Sequence, residues 1–144
     1  MPELSYDYIR GLIDGEGCFS FCSIPANGKK VLLPAFMLRM AIRDKELIER
    51  VRDKLCLKNK VYCYSYQGKD GFKRQPQAVL IVRDLGALRR TIIPLFYKKL
   101  IGHKGKQFEA WIERIGNDPL VPESYKIIYR LHKTGFYNSD SRFS

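Results

Sequence analysis

Ser5-Tyr6-Asp7-Tyr8-Ile9-Arg10-Gly11-Leu12-Ile13-Asp14-Gly15-Glu16-Gly17 runs without a break into Cys18-Phe19-Ser20-Phe21, and the hydrophobic period changes at the junction. Ile9, Leu12 and Ile13 recur at helical spacing behind Ser5, a residue suited to cap a first turn. Gly15 and Gly17 are expected to stop the helix, and Cys18 to Ile24 then alternates as a half-buried strand. Gly11 and Gly15 lie four apart and share one side of the helix, beside the Ile9/Leu12/Ile13 stripe. A mid-helix glycine costs up to about 1 kcal/mol against alanine, so the pair suggests close approach by another backbone. The plainer account of Gly15 is a helix stop. Glu16 projects from a helix C-terminus, where a carboxylate is unfavourable alone but well placed to hold a cation.

Working outward, Asn27-Gly28 is a hairpin turn, followed by Lys29-Lys30 and a second strand from Val31 to about Ala41. Pro34 cannot donate to a ladder and marks an edge position or bulge. Asp44 is placed to cap a helix with Leu47, Ile48, Val51 and Leu55 on one stripe. Val61 to Gln67 and Gln75 to Val82 form a second hairpin around Gly68-Lys69-Asp70-Gly71. Asp84 is placed to cap a further helix that Pro94 is expected to end. Phe108, Trp111, Ile112 and Ile115 mark a fourth helix, and Ile127, Ile128 and Leu131 a fifth that stops near Gly135. The order αββαββα with appended helices predicts an α+β fold: a four-stranded antiparallel sheet with helices on one face. The expected organisation is one domain over residues 1–144, with a core at about 4–115, a helical extension at about 116–135 and a tail at 136–144.

Such a sheet leaves one face open. With Phe19, Phe21, Ala78, Leu80 and Val82 facing the helices, alternation puts Ser20, Cys22, Ile24, Gln75 and Gln77 on the open side. Arg39 joins them if Leu38 and Met40 face in, and Tyr62, Tyr64 and Tyr66 join if Val61 does. Both hairpin tips are basic, with Lys29 and Lys30 on one and Lys69, Lys73 and Arg74 on the other. Arg, Gln and Tyr between basic tips suit groove reading, with lysines on phosphates. An ordinary amphipathic sheet with a wet polar face, or tyrosines half in the core, is the alternative.

The composition agrees with a nucleic-acid partner. The 144 residues carry 26 Lys+Arg against 15 Asp+Glu, a net charge of +11, and the sequence pI is about 9.6. Hydrophobic residues at 45% and charged residues at 28% are globular rather than disordered. The longest apolar stretch, Val31 to Ile42, is interrupted by Pro34 and Arg39 and is too short for a bilayer. No secretory signal is visible after Met1, so an intracellular protein is expected. Cys18 and Cys22 have zinc-like spacing without a matching second pair, so all four cysteines read as free thiols. No Ser/His/Asp or Cys/His constellation offers covalent catalysis.

Tyr8 to Gly17, followed by Cys18-Phe19-Ser20-Phe21, resembles the signature and first strand of the LAGLIDADG homing endonucleases, and Leu100-Ile101-Gly102-His103-Lys104 resembles the segment that carries their active-site lysine. The likeness covers roughly residues 4 to 115. It implies that Gly11, Leu12 and Gly15 pack at a two-fold axis. It also makes Glu16 the metal-binding acid, with the Gly15 carbonyl as a further ligand, and Lys104 the lysine near the scissile phosphate. Asp14 matches a structural acid at the helix end. Only one signature is present, so the resemblance implies a homodimer on a long pseudo-palindromic duplex DNA site. The implied reaction is phosphodiester hydrolysis with Mg²⁺ (or Mn²⁺ or Ca²⁺ in its place), leaving 3′ overhangs. An intron RNA-binding maturase or a cleavage-inactive DNA-binding regulator are the alternatives within the fold. Two positions depart from the pattern: Arg10 replaces alanine and is expected to pair with Asp14, and Arg43 is the only polar residue directly after the second strand.

Overall fold

The computed structural model describes residues 2–65, 71 and 75–144. Helix α1 spans Tyr6–Glu16, strand β1 Gly17–Ala26 and β2 Lys29–Ala41. Helix α2 spans Lys45–Lys54, β3 Val61–Tyr64 and β4 Gln77–Val82. A rod over 85–96 follows, made of α3 (Leu85–Ala87), a π-turn (Leu88–Ile92) and α4 (Ile93–Phe96). Helices α5 (His103–Asn117) and α6 (Ile127–Lys133) complete the chain. The sheet is antiparallel in the order β1-β2-β4-β3. The expected α+β architecture is therefore present. No helix among the described residues is long and apolar enough to cross a membrane.

Local chemistry explains most boundaries. Ser5 Oγ accepts from the Tyr8 N–H at 3.0 Å and starts α1. The helix passes through Gly15 and ends at Glu16, with Gly17 as cap. A Cβ on Gly17 would overlap Ile13 Cγ2 and lie 3.0 Å from its carbonyl, so only glycine lets β1 leave the helix so closely. Asn27 and Gly28 both have positive φ, as a type I′ hairpin requires. Pro34 lies in the half of β2 that pairs with β1 alone. The Leu32 N–H, of the same parity, points away from β1 and donates to the Leu120 carbonyl. The Pro34 nitrogen thus faces the side where β4 has not begun.

Two expectations about the helices need correction. Asp44 stands at the N-cap of α2 but makes no side-chain capping bond, because a 3-10 turn over Ile42–Asp44 leads into the helix instead. Pro94 does not end its helix. The backbone widens into the π-turn just before it, and the Arg90 carbonyl, four residues back, accepts from Arg142 Nη2 at 2.7 Å rather than from the donor proline lacks. Asp84 caps as expected, accepting from the Ala87 N–H at 3.1 Å.

The core lies between the helices and the inner sheet face. Phe19 packs on Phe36, Phe96, Phe108 and Trp111 with ring centroids 5.1–5.7 Å apart. The four inward positions of α5, Phe108, Trp111, Ile112 and Ile115, are all buried. Val121, Ile128 and Tyr137 join the same cluster, so residues beyond 115 share the core. Asp118, held below the usual carboxylate range by the Leu120 N–H and by Arg114, shapes the turn that docks Leu120 on β2. The four cysteines are free.

Arg10 is the one buried charged residue described, and it does not pair with Asp14. Its Nε donates to the Leu95 carbonyl at 2.8 Å, Nη1 to Asp7 Oδ1 at 3.0 Å and Nη2 to the Phe143 carbonyl. One side chain therefore binds α1 to α4 and to the segment after α6, where Phe143 also meets Tyr6 edge-on. Arg10→Ala leaves two carbonyls without donors, and a loss of about 3 kcal/mol in a denaturant melt is the expected result.

Candidate active site and nucleic-acid interface

Two helix ends carry charges opposite to those their dipoles favour. Helix α1 finishes on Glu16 with no basic residue in its last turn. Helix α5 begins His103-Lys104-Gly105-Lys106 with no acidic residue in its first turn. Each placement costs a few tenths of a kcal/mol, up to about 1, for the isolated helix. Each also concentrates one sign of potential: carbonyls and a carboxylate at the end of α1, N–H groups and ammoniums at the start of α5.

Asp14 joins these ends. Its Oδ2 accepts from the Ile101 N–H at 3.1 Å and its Oδ1 from the Gly102 N–H at 3.2 Å. Gly102 is the N-cap of α5, so a carboxylate two residues before Glu16 holds the backbone two residues before Lys104. With its oxygens engaged there, Asp14 is not the partner of Arg10. Glu16 is exposed and Lys104 partly buried. Arg43 and Gln75 line a small cleft with Ala41 and Ile42 at the end of β2. Because Gly17 pairs with Leu38, this is also the sheet end that bears Glu16. Ile101, three residues before Lys104, is 94% exposed. An apolar residue in sequence reads as core, so no pattern singled it out.

Helix α1 keeps one side uncovered. Gly11 and Gly15 are exposed, and a Cβ added at either would meet no atom within 4 Å. Leu12 is partly buried. Tyr8 is 49% exposed, and its position three before Gly11 and four before Leu12 places it on the same side. That spacing was the available signal for Tyr8.

On the sheet, Ser20, Cys22 and Ile24 lie on the outer face of β1, half-buried. Lys29 and Lys30 are exposed at the first hairpin tip, and Arg39 is exposed with its guanidinium carbon 5.9 Å from the Tyr64 ring centroid. Tyr62 and Tyr64 are 50% and 38% exposed, so neither belongs to the core, and Lys60 stands 5.3 Å over the Tyr62 ring. Gln75 is exposed just before β4, and Gln77 is half-buried with an Oε1 that has no partner among the described residues. Tyr66, Lys69, Lys73 and Arg74 lie outside the described residues.

The outer face is not the polar surface expected. Register sets Cys22 opposite Leu33, Ser20 opposite Ala35, and Met37 opposite both Cys18 and Ile81. Val79, flanked by Arg39 and Tyr62, is fully buried on this face. A stripe of aliphatic side chains therefore runs down its middle, with Arg39, the tyrosines and the lysines beside it.

No protein-family model matches the sequence, and no curated protein does. Solved structures match over nearly the whole chain. The LAGLIDADG homing endonuclease I-LtrWI bound to target DNA superposes with a TM-score of 0.63 at 22% identity, covering 94% of this chain and 45% of its own. The homing endonuclease I-TnaI gives 0.61 at 19% identity, covering 97% of this chain and 92% of its own. This chain has the LAGLIDADG homing-endonuclease fold. The meganuclease I-SmaMI bound to uncleavable DNA has it too, at a TM-score of 0.61 and 18% identity. The present chain thus spans under half the length of I-LtrWI and I-SmaMI and nearly all of I-TnaI. Within this fold, α1 carries the residues that resemble the family's signature, and β1 to β4 form the four-stranded sheet.

Proposed function

We propose that the protein is a site-specific double-strand DNA endonuclease acting as a homodimer on a long pseudo-palindromic site. The observation that carries this reading is Asp14, whose two hydrogen bonds hold the Glu16 end of α1 against the Lys104 end of α5. A second copy packed on the Tyr8/Gly11/Leu12/Gly15 side would form an isologous interface and set two such pairs about one axis. The two open sheet faces would then line one duplex, with Lys29 and Lys30 on phosphates and Arg39, Tyr62, Tyr64, Gln75 and Gln77 toward base edges.

Among the described residues no cluster of three His, Cys, Asp or Glu side chains is present within one chain. Glu16 and the Gly15 carbonyl supply hard oxygen donors, the chemistry that suits Mg²⁺, with Mn²⁺ or Ca²⁺ as substitutes. Such a cation, when bound, activates water and offsets charge on the attacking and leaving oxygens. Glu16 from each copy gathers negative charge at the axis, and the Gly15 carbonyl adds to it. Lys104 faces the scissile phosphate and stabilises charge as it develops on the phosphoryl oxygens. Asp14 keeps the two in register. Cuts made by two sites across the minor groove leave 3′ overhangs.

Incubation with a randomised duplex library and Mg²⁺, followed by sequencing of the ends, tests the reading. Paired cuts at one recurring site are expected, and an uncut library overturns it. Binding should weaken steeply with salt, with a log–log slope of about −0.9 per phosphate contacted. Competition between duplex and structured RNA in a gel shift separates the endonuclease from a maturase, with duplex expected to win.

A further inference from the structure

The aliphatic stripe on the outer sheet face has no part in the roles assigned so far. It consists of Val31, Leu33, Ala35 and Met37 on β2 and Val79 and Ile81 on β4, two of them fully buried and the others half-buried. Val31 to Met37 is about 20 Å of strand, the length of about six stacked base pairs. Exposed Lys29, Arg39 and Lys60 stand along or at the ends of the stripe, so whatever covers it is polyanionic at its rim and apolar at its centre.

Ala35 and Val79 are fully buried, so Val31, Leu33, Met37 and Ile81 present the stripe; none of these four side chains donates a hydrogen bond, and only the Met37 thioether accepts one, weakly. Pressed against the N7 and O6 acceptors of guanine or the N4 amine of cytosine, they would leave those groups desolvated and unpaired. The major groove offers one apolar feature, the C5-methyl group of thymine. Resting on the proposed function, we infer that the stripe reads thymine methyl groups, so that the arms of the target are selected for T at the base pairs facing β2 and β4. The polar residues beside it, Arg39, Gln75 and Gln77, then read the flanking pairs. The same contact favours DNA over RNA, because uracil lacks the methyl and an A-form major groove admits no sheet.

The test needs no change to the protein. In the target recovered from the library, each thymine of one arm is replaced in turn by deoxyuridine, which removes only the methyl group. Affinity is expected to fall about four-fold at each position facing the stripe and not elsewhere. In Leu33→Ser the ratio between the thymine and deoxyuridine duplexes at the facing position is expected to fall to about one. A duplex bound and cut with equal affinity in both forms would overturn the inference and leave the endonuclease reading standing. That is also the result if the stripe covers a protein chain instead. If no duplex is recovered, both readings fail together.

Discussion

Glu16→Gln is expected to lose DNA cleavage by more than about a thousand-fold while holding its target within a few-fold of the parental affinity. The amide matches the carboxylate in size and keeps one carbonyl oxygen, but removes a full negative charge from each copy at the proposed axis. Glu16 is exposed at the end of α1 and lies outside the buried core, so folding and groove contacts are expected to be preserved. Removing a carboxylate facing phosphates could only help binding electrostatically. A plasmid nicking and linearisation assay beside a gel shift reads both effects. Parental cleavage by Glu16→Gln would remove Glu16 from the active site.

Gly11→Leu should separate the fold of one chain from the assembly of two. Nothing lies within 4 Å of an added Cβ, and glycine within a helix is up to about 1 kcal/mol worse than leucine or alanine. One chain alone is therefore expected to melt at an equal or higher temperature. If the exposed side of α1 packs on its copy, the leucine side chain holds the two helices apart, and the dimer and cleavage are lost together. Light scattering coupled to gel filtration, with a thermal melt on the same sample, reads both signs. A dimeric, cutting Gly11→Leu would show that the helices meet elsewhere.

Much of this was legible from short-range pattern. Ser5, Asn27-Gly28, Asp84 and the inward positions of α5 act as their types and spacings indicate, because each is decided by neighbours within a few residues. Arg10 was misread for the opposite reason. Its nearest opposite charge one turn on is Asp14, but that carboxylate is claimed by N–H groups 87 and 88 residues away. The π-turn before Pro94 leaves no periodic trace, since a carbonyl served by distant Arg142 lets proline stand inside a helix. The aliphatic stripe was visible in principle. Val31-Leu32-Leu33-Pro34-Ala35-Phe36-Met37-Leu38 is apolar at every residue, the pattern of a strand covered on both sides. An amphipathic reading of its neighbours hid the outward half.

Trp111 is the only tryptophan. It is 3% exposed, and its indole N–H donates at 2.7 Å to the Ser20 carbonyl, on the strand whose outer side chains are proposed to meet the duplex. Any twist of β1 as DNA seats on the sheet strains that bond, and indole emission responds to such a change. Stopped-flow fluorescence of the unlabelled protein would therefore time the proposed encounter separately from strand scission, with the reporter already built into the back of the proposed recognition surface.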